Sequence, residues 1–183
     1  MEKLNFFGIG PKVATIFLPW FAATIIISSI FKERFLFSVS AEQEIHIAGI
    51  ALMFLGLVFY FSTVRLLLTG LKQTKLIKTG PYSLCQNPLY TSLALLIIPA
   101  LSLILNSWLV LTSSLVGYIL FKIFISTEYN ELEKFFGEDY RRYRDSTPEF
   151  FPLPIKKIFR VKQKRLLNNS YSSRLSNSQK RTK

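Results

Sequence analysis

The sequence contains a single cysteine, Cys85, and a single histidine, His46. One cysteine excludes an intrachain disulfide and leaves the redox compartment undetermined. One histidine excludes a histidine-rich metal site, and a Ser-His-Asp triad is open only if His46 serves it. Because His46 begins a hydrophobic run, an interfacial position is its favoured interpretation. We therefore expect no metal cofactor.

Acidic residues are missing from residues 155–183, which carry ten Lys or Arg and most of the net charge of +12. From Val161 onward apolar residues are also few, so we predict a basic, disordered tail over 155–183 behind a membrane domain over 1–154. Such a tail suits an anionic lipid surface or a nucleic acid. Beside membrane spans the lipid surface is the simpler partner, and we expect no nucleic acid.

Charged residues are missing from three long stretches, 13–31, 45–64 and 79–121. A transmembrane helix needs about 20 largely apolar residues, because the hydrocarbon core is about 30 Å thick. The third stretch is too long for one crossing, and Asn106 and Ser107 divide it into 89–105 and 108–126. The pattern predicts an all-α, polytopic membrane protein with about four transmembrane helices.

The first stretch also fits the apolar part of a signal peptide. It is longer than is usual for one, and charged residues from Lys32 follow directly without a small-residue cleavage site. A retained span is therefore the favoured interpretation.

The basic residues of the short loops predict the orientation. Lys72, Lys75 and Lys78 lie in a loop without acids, whereas the loop after the first span mixes both signs. With an even number of spans, this loop and both termini lie on the cytoplasmic side, where the positive-inside rule places basic loops. We expect a multi-pass protein in this orientation.

Two polar segments on that side could support chemistry. The first, residues 75–90, contains a turn signal at Gly80-Pro81 and a helix start at Pro88, with Asn87 as a plausible N-cap. Cys85 lies inside it, and a small buried side chain is its favoured interpretation. These features alone are also explained by a loop without a function of its own, followed by a membrane helix.

The second segment, residues 128–143, is too charged to span the membrane. Its apolar residues recur at helical spacing and predict an amphipathic, cytosolic C-terminal helix that Gly137 could interrupt. The stripe comprises Tyr129, Leu132, Phe136, Tyr140 and Tyr143.

In this order, around a helical hairpin, the two segments resemble the isoprenylcysteine carboxyl methyltransferase and phospholipid methyltransferase superfamily of membrane enzymes. The resemblance covers roughly residues 71–154, and each motif alone is weak, whereas their order and spacing together are specific. The motifs stand here as Gly80-Pro81-Tyr82, Gln86-Asn87-Pro88-Leu89-Tyr90, Glu128-Tyr129, Phe136-Gly137-Glu138-Asp139-Tyr140-Arg141-Arg142-Tyr143 and Pro152.

The resemblance implies a methyltransferase that uses S-adenosylmethionine and takes a lipid or lipidated small molecule from the bilayer as methyl acceptor. Asn87 would hydrogen-bond a polar edge of the cofactor, Glu128 its ammonium or ribose, and Lys75 its carboxylate. Carried over by position, the cofactor contacts fall on Thr74, Lys75, Leu76, Ile77, Tyr82, Asn87, Pro88, Leu89, Tyr90 and Glu128. No catalytic residue is assigned, because the sulfonium is already a strong electrophile.

Three positions depart from the family pattern. Gln86 replaces an Arg, Tyr129 replaces the second Glu, and Phe124 stands where prenylcysteine enzymes carry an Arg one turn before Glu128. The acceptor therefore stays open between a prenylcysteine carboxylate, a phospholipid amine and a small thiol or other lipid. The alternative function is a non-catalytic membrane scaffold whose basic tail binds anionic lipid or a partner.

Overall fold

The computed structural model describes residues 8–38 and 40–150, apart from the side chains of residues 71 and 72. The predicted tail over 155–183 and the family's late proline, Pro152, lie outside these ranges. Within them the chain is helical and forms no β-strand; a single isolated bridge pairs Leu36 with Ser107. The all-α prediction is confirmed.

Eight α-helices and one π-helical segment make up the described chain. They are α1, Gly10–Ile30; α2, Lys32–Phe35; α3, Glu42–Gln73; α4, Pro81–Leu84; α5, Pro88–Thr91; the π-helical segment, Ser92–Ile97; α6, Ile98–Ile104; α7, Trp108–Phe136; and α8, Glu138–Ser146.

Three of these helices, α1, α3 and α7, are long and apolar enough to cross a membrane. The fourth predicted span is the shorter apolar run Pro88–Ile104, which spans about 25 Å at 1.5 Å per residue. By the same rise α3 and α7 measure over 40 Å and exceed the hydrocarbon core. The fold is therefore that of a multi-pass membrane protein, as predicted.

The helix α1 runs antiparallel to α7 along a seam of small polar residues. The Thr24 and Ser113 hydroxyls are 3.1 Å apart, and the Ser28 and Ser107 hydroxyls also hydrogen-bond. Large apolar side chains on the same helices point outwards, such as Leu115 at 62% exposure. Small residues inside and large apolar residues outside are the arrangement expected of helices packed in lipid.

Glycines let α3 approach the continuous helical run of α5, the π-helical segment and α6, which is the first arm of the hairpin with α7. A Cβ atom on Gly49 would lie 2.9 Å from the backbone nitrogen of Ile104, and one on Gly56 would lie 3.0 Å from the Ile97 side chain. At the same end His46 Nδ1 lies 3.0 Å from the Ile104 carbonyl oxygen. Since α6 ends there, His46 lies at the end of the bundle opposite to α5.

The hairpin turn falls at the predicted break. Asn106 has a φ of +47°, its amide nitrogen donates to the Ser38 carbonyl at 2.8 Å, and its Oδ1 accepts from the Phe37 amide at 3.3 Å. The turn is therefore tied to the α2–α3 connection. The π-helical segment ends two residues before Pro99, whose missing N–H interrupts the regular helical hydrogen-bond pattern.

The last long helix continues beyond the predicted membrane span. Instead of ending near Ser126, α7 continues to Phe136, and Gly137, at a φ of +58°, then separates it from α8. The interruption at Gly137 is confirmed, but the predicted stripe is divided between two helices. Glu133 holds the bend, since its carboxylate pairs with Arg141 at 2.6 Å and with Arg144 at 2.8 Å.

Candidate functional site

The site lies where α7 leaves the membrane. Glu128 is about 30 Å along α7 from Trp108 at 1.5 Å per residue, which places it close to the boundary of the hydrocarbon core. Its carboxylate is mostly enclosed and accepts a hydrogen bond from the Ile9 amide at 3.3 Å. A carboxylate in such surroundings is costly unless polar partners surround it.

One tyrosine of the first polar segment, Tyr90, contacts Glu128, and a second, Tyr82, lies close enough for the carboxylate charge to affect it. The Tyr90 hydroxyl lies beside its carboxylate, and the Tyr90 ring packs on Phe121 at 4.8 Å between centroids. Burial raises the pKa of the Tyr82 phenol, and the nearby Glu128 carboxylate raises it further. Tyr82 therefore stays a neutral hydrogen-bond donor at physiological pH. The structure thus brings Tyr82, Tyr90 and Glu128 together on one side of the bundle.

Asn87 stands at the N-cap position of α5, as predicted, but its side chain makes no capping bond to that helix. Its amide nitrogen instead donates to the Tyr129 hydroxyl at 2.6 Å and to the Glu149 carbonyl at 3.2 Å. Hydrogen bonds to Tyr129 and Glu149 thus take the place of a capping bond within α5. Pro88 is buried and begins α5 as predicted, and Leu89 is half-buried beside it.

Two of the departures from the family pattern have defined structural roles. The Tyr129 hydroxyl receives the Asn87 amide and donates to Glu149 Oε1 at 3.1 Å. Glu149, whose other oxygen pairs with Lys122, therefore places its carboxylate against the Tyr129 hydroxyl. The Gln86 amide nitrogen donates to the carbonyls of Arg144 and Thr147, at 2.9 and 2.5 Å.

These bonds belong to a latch that holds α8 over the loop before α5. The Tyr143 hydroxyl donates to the Tyr82 carbonyl at 2.7 Å and to the Cys85 carbonyl at 3.3 Å. Burial raises the pKa of Tyr143, so this donor stays protonated. Cys85 itself is buried, as predicted. We call these two bonds, with those of the Gln86 side chain, the α8 latch.

The predicted cofactor residues Thr74, Lys75, Leu76 and Ile77 lie in the loop that follows α3. Thr74 has a φ of +53°, the Lys75 amide donates to the Gly70 carbonyl at 3.1 Å, and Ile77 packs over Gly70. The described contacts of this segment are thus with α3 and not with Glu128. Lys78 Nζ connects the same loop to α8, at 3.8 Å from Asp139.

Sequence reasoning missed Gly8, Ile9, Lys122 and Glu149 as members of the site. Ile9 contacts Glu128 across 119 positions and Glu149 contacts Tyr129 across 20, so no local spacing could reveal either pair. The run Gly8-Ile9-Gly10-Pro11 was the only local hint in this segment, because glycine and proline indicate a turn there. Among the described residues, no group of three or more His, Cys, Asp or Glu could hold a metal ion.

An apolar groove of about 60 Å³ adjoins the site and lies between α1, α7 and the first arm of the hairpin. Tyr90 lines it at the end near Glu128, and Phe150 packs on Phe121 at its edge. Its other lining residues are Val13, Phe17, Leu93, Ala94, Ile98, Gly117, Tyr118 and Phe121.

Comparison with known protein families gives one match. The model of a family described as phospholipid methyltransferase matches residues 45–139, just over half of the chain. The matched range includes α3, the loop with Tyr82, the first arm of the hairpin and α7 with Glu128. No curated protein and no solved structure matches the chain.

Proposed function

Because the chain belongs to the phospholipid methyltransferase family of membrane enzymes, we propose that it transfers a methyl group from S-adenosylmethionine to a lipophilic acceptor. The observation that carries the proposal is that Tyr90 of α5, packed on Phe121 of α7, lies beside the Glu128 carboxylate, with the half-buried Tyr82 nearby. We propose residues 1–154 as the catalytic unit and 155–183 as its basic tail.

The donor set fits this cofactor chemically. S-adenosylmethionine offers an ammonium and ribose hydroxyls, which a carboxylate such as Glu128 accepts, and a sulfonium, which gains about 0.5–2 kcal/mol over an aromatic face. We assign that face to Tyr82 or Tyr90. The loop after α3 completes the proposed site. Its Lys75 ammonium would pair with the carboxylate of the cofactor, and further hydrogen bonds would come from the peptide groups of Thr74, Leu76 and Ile77.

Asn87, Pro88 and Leu89 have a different role in this proposal from the one their motif implies. The Asn87 amide is engaged by Tyr129 and the Glu149 carbonyl. It therefore fixes the α5 loop against α7, so that Tyr82 and Tyr90 stay close to Glu128.

When bound, the cofactor would supply a methyl group on sulfur: the lone pair of the acceptor forms the new bond to the methyl carbon, the electron pair of the broken carbon–sulfur bond stays on sulfur, and an amine acceptor loses one proton to solvent. The protein needs neither a metal nor a covalent intermediate for such a transfer. Its own contribution is positioning, worth up to about 7–11 kcal/mol in favourable cases. The α8 latch excludes water from the loop, which strengthens the polar contacts inside.

The apolar groove supports a lipophilic acceptor, and among the open acceptors we propose a phospholipid amine. The groove is lined by side chains from three helices and ends at Tyr90, next to Glu128. Phe124 leaves no Arg for a prenylcysteine carboxylate, which disfavours that acceptor. We expect radiolabelled methyl transfer to phosphatidylethanolamine and not to N-acetyl-farnesylcysteine; the reverse preference contradicts the acceptor assignment.

We also propose that the Glu128 end of the bundle faces the cytoplasm. The loop after α3 carries Lys75 and Lys78, in keeping with the positive-inside rule. Both termini would then be cytoplasmic, since α1 begins and α7 ends on that side.

Calorimetric titration of the detergent-purified full chain with S-adenosylmethionine tests the proposal. We expect micromolar binding by the wild type and at least about tenfold weaker binding by Glu128→Ala, since a hydrogen bond to a charged group contributes about 1.5–3 kcal/mol. Glu131→Ala is the matched control, because Glu131 is an exposed carboxylate three residues further along α7.

Two outcomes contradict the proposal. Absence of binding at millimolar cofactor favours the scaffold alternative instead. Equal affinity in the wild type and Glu128→Ala removes Glu128 from the site.

A further inference from the structure

The chain entering α1 lies directly on the Glu128 carboxylate. The Ile9 amide donates to Glu128 Oε2 at 3.3 Å. A Cβ atom on Gly8 would lie 2.7 Å from the same oxygen and 3.0 Å from the carboxylate carbon. Side chains essentially never approach that closely, so a Cβ atom at this position would force the Glu128 carboxylate to move.

This contact comes from an anchored part of the chain. The Ile9 side chain is 3% exposed and packs in a core with Phe121, Ile125 and Phe150. Its carbonyl accepts the Val13 amide at 3.0 Å and so begins α1. The buried side chain and the helix together fix where the Ile9 N–H points.

The conformation of Gly8 contributes to the same contact. Its φ of +51° lies in the left-handed region, where a glycine carries no penalty from a Cβ atom. With this φ the chain turns over Glu128 before it enters the helix at Gly10 and Pro11.

We propose that Gly8 and Ile9 are positioning residues for Glu128. The Ile9 N–H fixes one carboxylate oxygen, and the bare Gly8 backbone closes the space above it, so that Glu128 is held in a single orientation towards Tyr90. This inference rests on the proposed function, because the orientation matters only if Glu128 binds the cofactor. It assigns a binding role to the N-terminal segment, which lies outside the matched range 45–139.

Gly8→Ala tests the proposal in the full chain in detergent, with S-adenosylmethionine as the titrant. The new Cβ must displace the carboxylate, and losing the orientation of one side chain corresponds to roughly 3- to 10-fold weaker binding. Gly10→Ala is the matched control, since a Cβ at Gly10 meets nothing within 4 Å. We expect its affinity to equal that of the wild type.

A second pair of variants isolates the N–H if Gly8→Ala does not fold. Ile9→Ala and Ile9→Pro both remove the buried side chain, but only proline also removes the hydrogen-bond donor. The φ of Ile9, −85°, is close to the value that proline requires. We expect Ile9→Pro to bind S-adenosylmethionine roughly 3- to 10-fold more weakly than Ile9→Ala, since only the orientation of Glu128 differs.

A double-mutant cycle separates positioning from general destabilisation. The shorter carboxylate of Glu128→Asp withdraws from Gly8, so Gly8→Ala should weaken binding less in that background than in the wild type. Equal effects of Gly8→Ala in both backgrounds overturn the proposal, as does wild-type affinity in Gly8→Ala. Unchanged affinity in Glu128→Ala would instead refute the proposed function itself.

Discussion

Tyr129 illustrates how a residue that departs from the family pattern is accommodated. It stands where the family has a second glutamate, and its hydroxyl connects the Asn87 amide to the Glu149 carboxylate. The acidic group is thus contributed by another part of the chain. The family resemblance identified Asn87 and Tyr129 as important positions, but the bond between them depends on how α5 packs against α7.

We expect Tyr129→Phe to lower stability by about 1–3 kcal/mol, because both the Asn87 donor and the Glu149 acceptor lose a buried partner. The measurement is the apparent melting temperature in detergent. Tyr60→Phe serves as the control, since the described contact of Tyr60 is made by its ring, 5.5 Å from Phe61. Equal melting temperatures for the two variants would contradict this role of the hydroxyl.

At the scale of the elements, the sequence predicted each span where charge was absent. The end of α1 at Ile30 and the turn at Asn106 agree with the prediction, because charges and turn-forming residues mark them directly, whereas α1 begins at Gly10, before the charge of Lys12. The predicted end of α7 was wrong. Charged residues after Ser126 exclude a further membrane-crossing stretch, but they do not stop a helix that has left the membrane. Apart from Pro99, nothing in the sequence predicts the π-helical segment.

The α8 latch is the element-scale feature that closes the site. Its bonds join residues about 60 positions apart, so the amphipathic stripe predicted the helix but not what it covers. Gln86 replaces an Arg of the family and still donates to the carbonyls at the end of α8.

We expect Tyr143→Phe to speed amide hydrogen exchange in residues 138–146 about 3- to 10-fold, because a net hydrogen bond contributes about 0.5–1.5 kcal/mol. Exchange in α1 should stay unchanged. Arg142→Ala, at an exposed position on the same helix, provides the comparison. Wild-type protection of 138–146 in Tyr143→Phe would show that α8 is held by other contacts.

At the scale of the whole molecule, four apolar helical elements place the α3–α5 loop, the end of α7 and the start of α1 on one side. The α2–α3 connection and the hairpin turn at Asn106 lie on the other side, where they are tied together. The sequence predicted this arrangement from the number of spans. It could not show which side chains meet inside it.

Single cysteines in a Cys85→Ser background test this arrangement. In sealed vesicles we expect a membrane-impermeant maleimide to reach Thr79→Cys and Glu138→Cys from one side and Ser40→Cys from the other. All three positions are exposed to solvent. Opposite sidedness of Thr79→Cys and Glu138→Cys would place the loop and α8 on different faces and exclude a shared site.

The central claim is that the loop with Tyr82 and Tyr90 and the Glu128 region of α7 form one cofactor pocket. Photolabelling of the full chain with methyl-labelled S-adenosylmethionine, followed by peptide mapping, tests it most directly. We predict label in residues 81–91 or 127–133, removed by excess unlabelled cofactor. Label confined to residues 32–44 at the opposite end, or label that unlabelled cofactor does not displace, would contradict the claim.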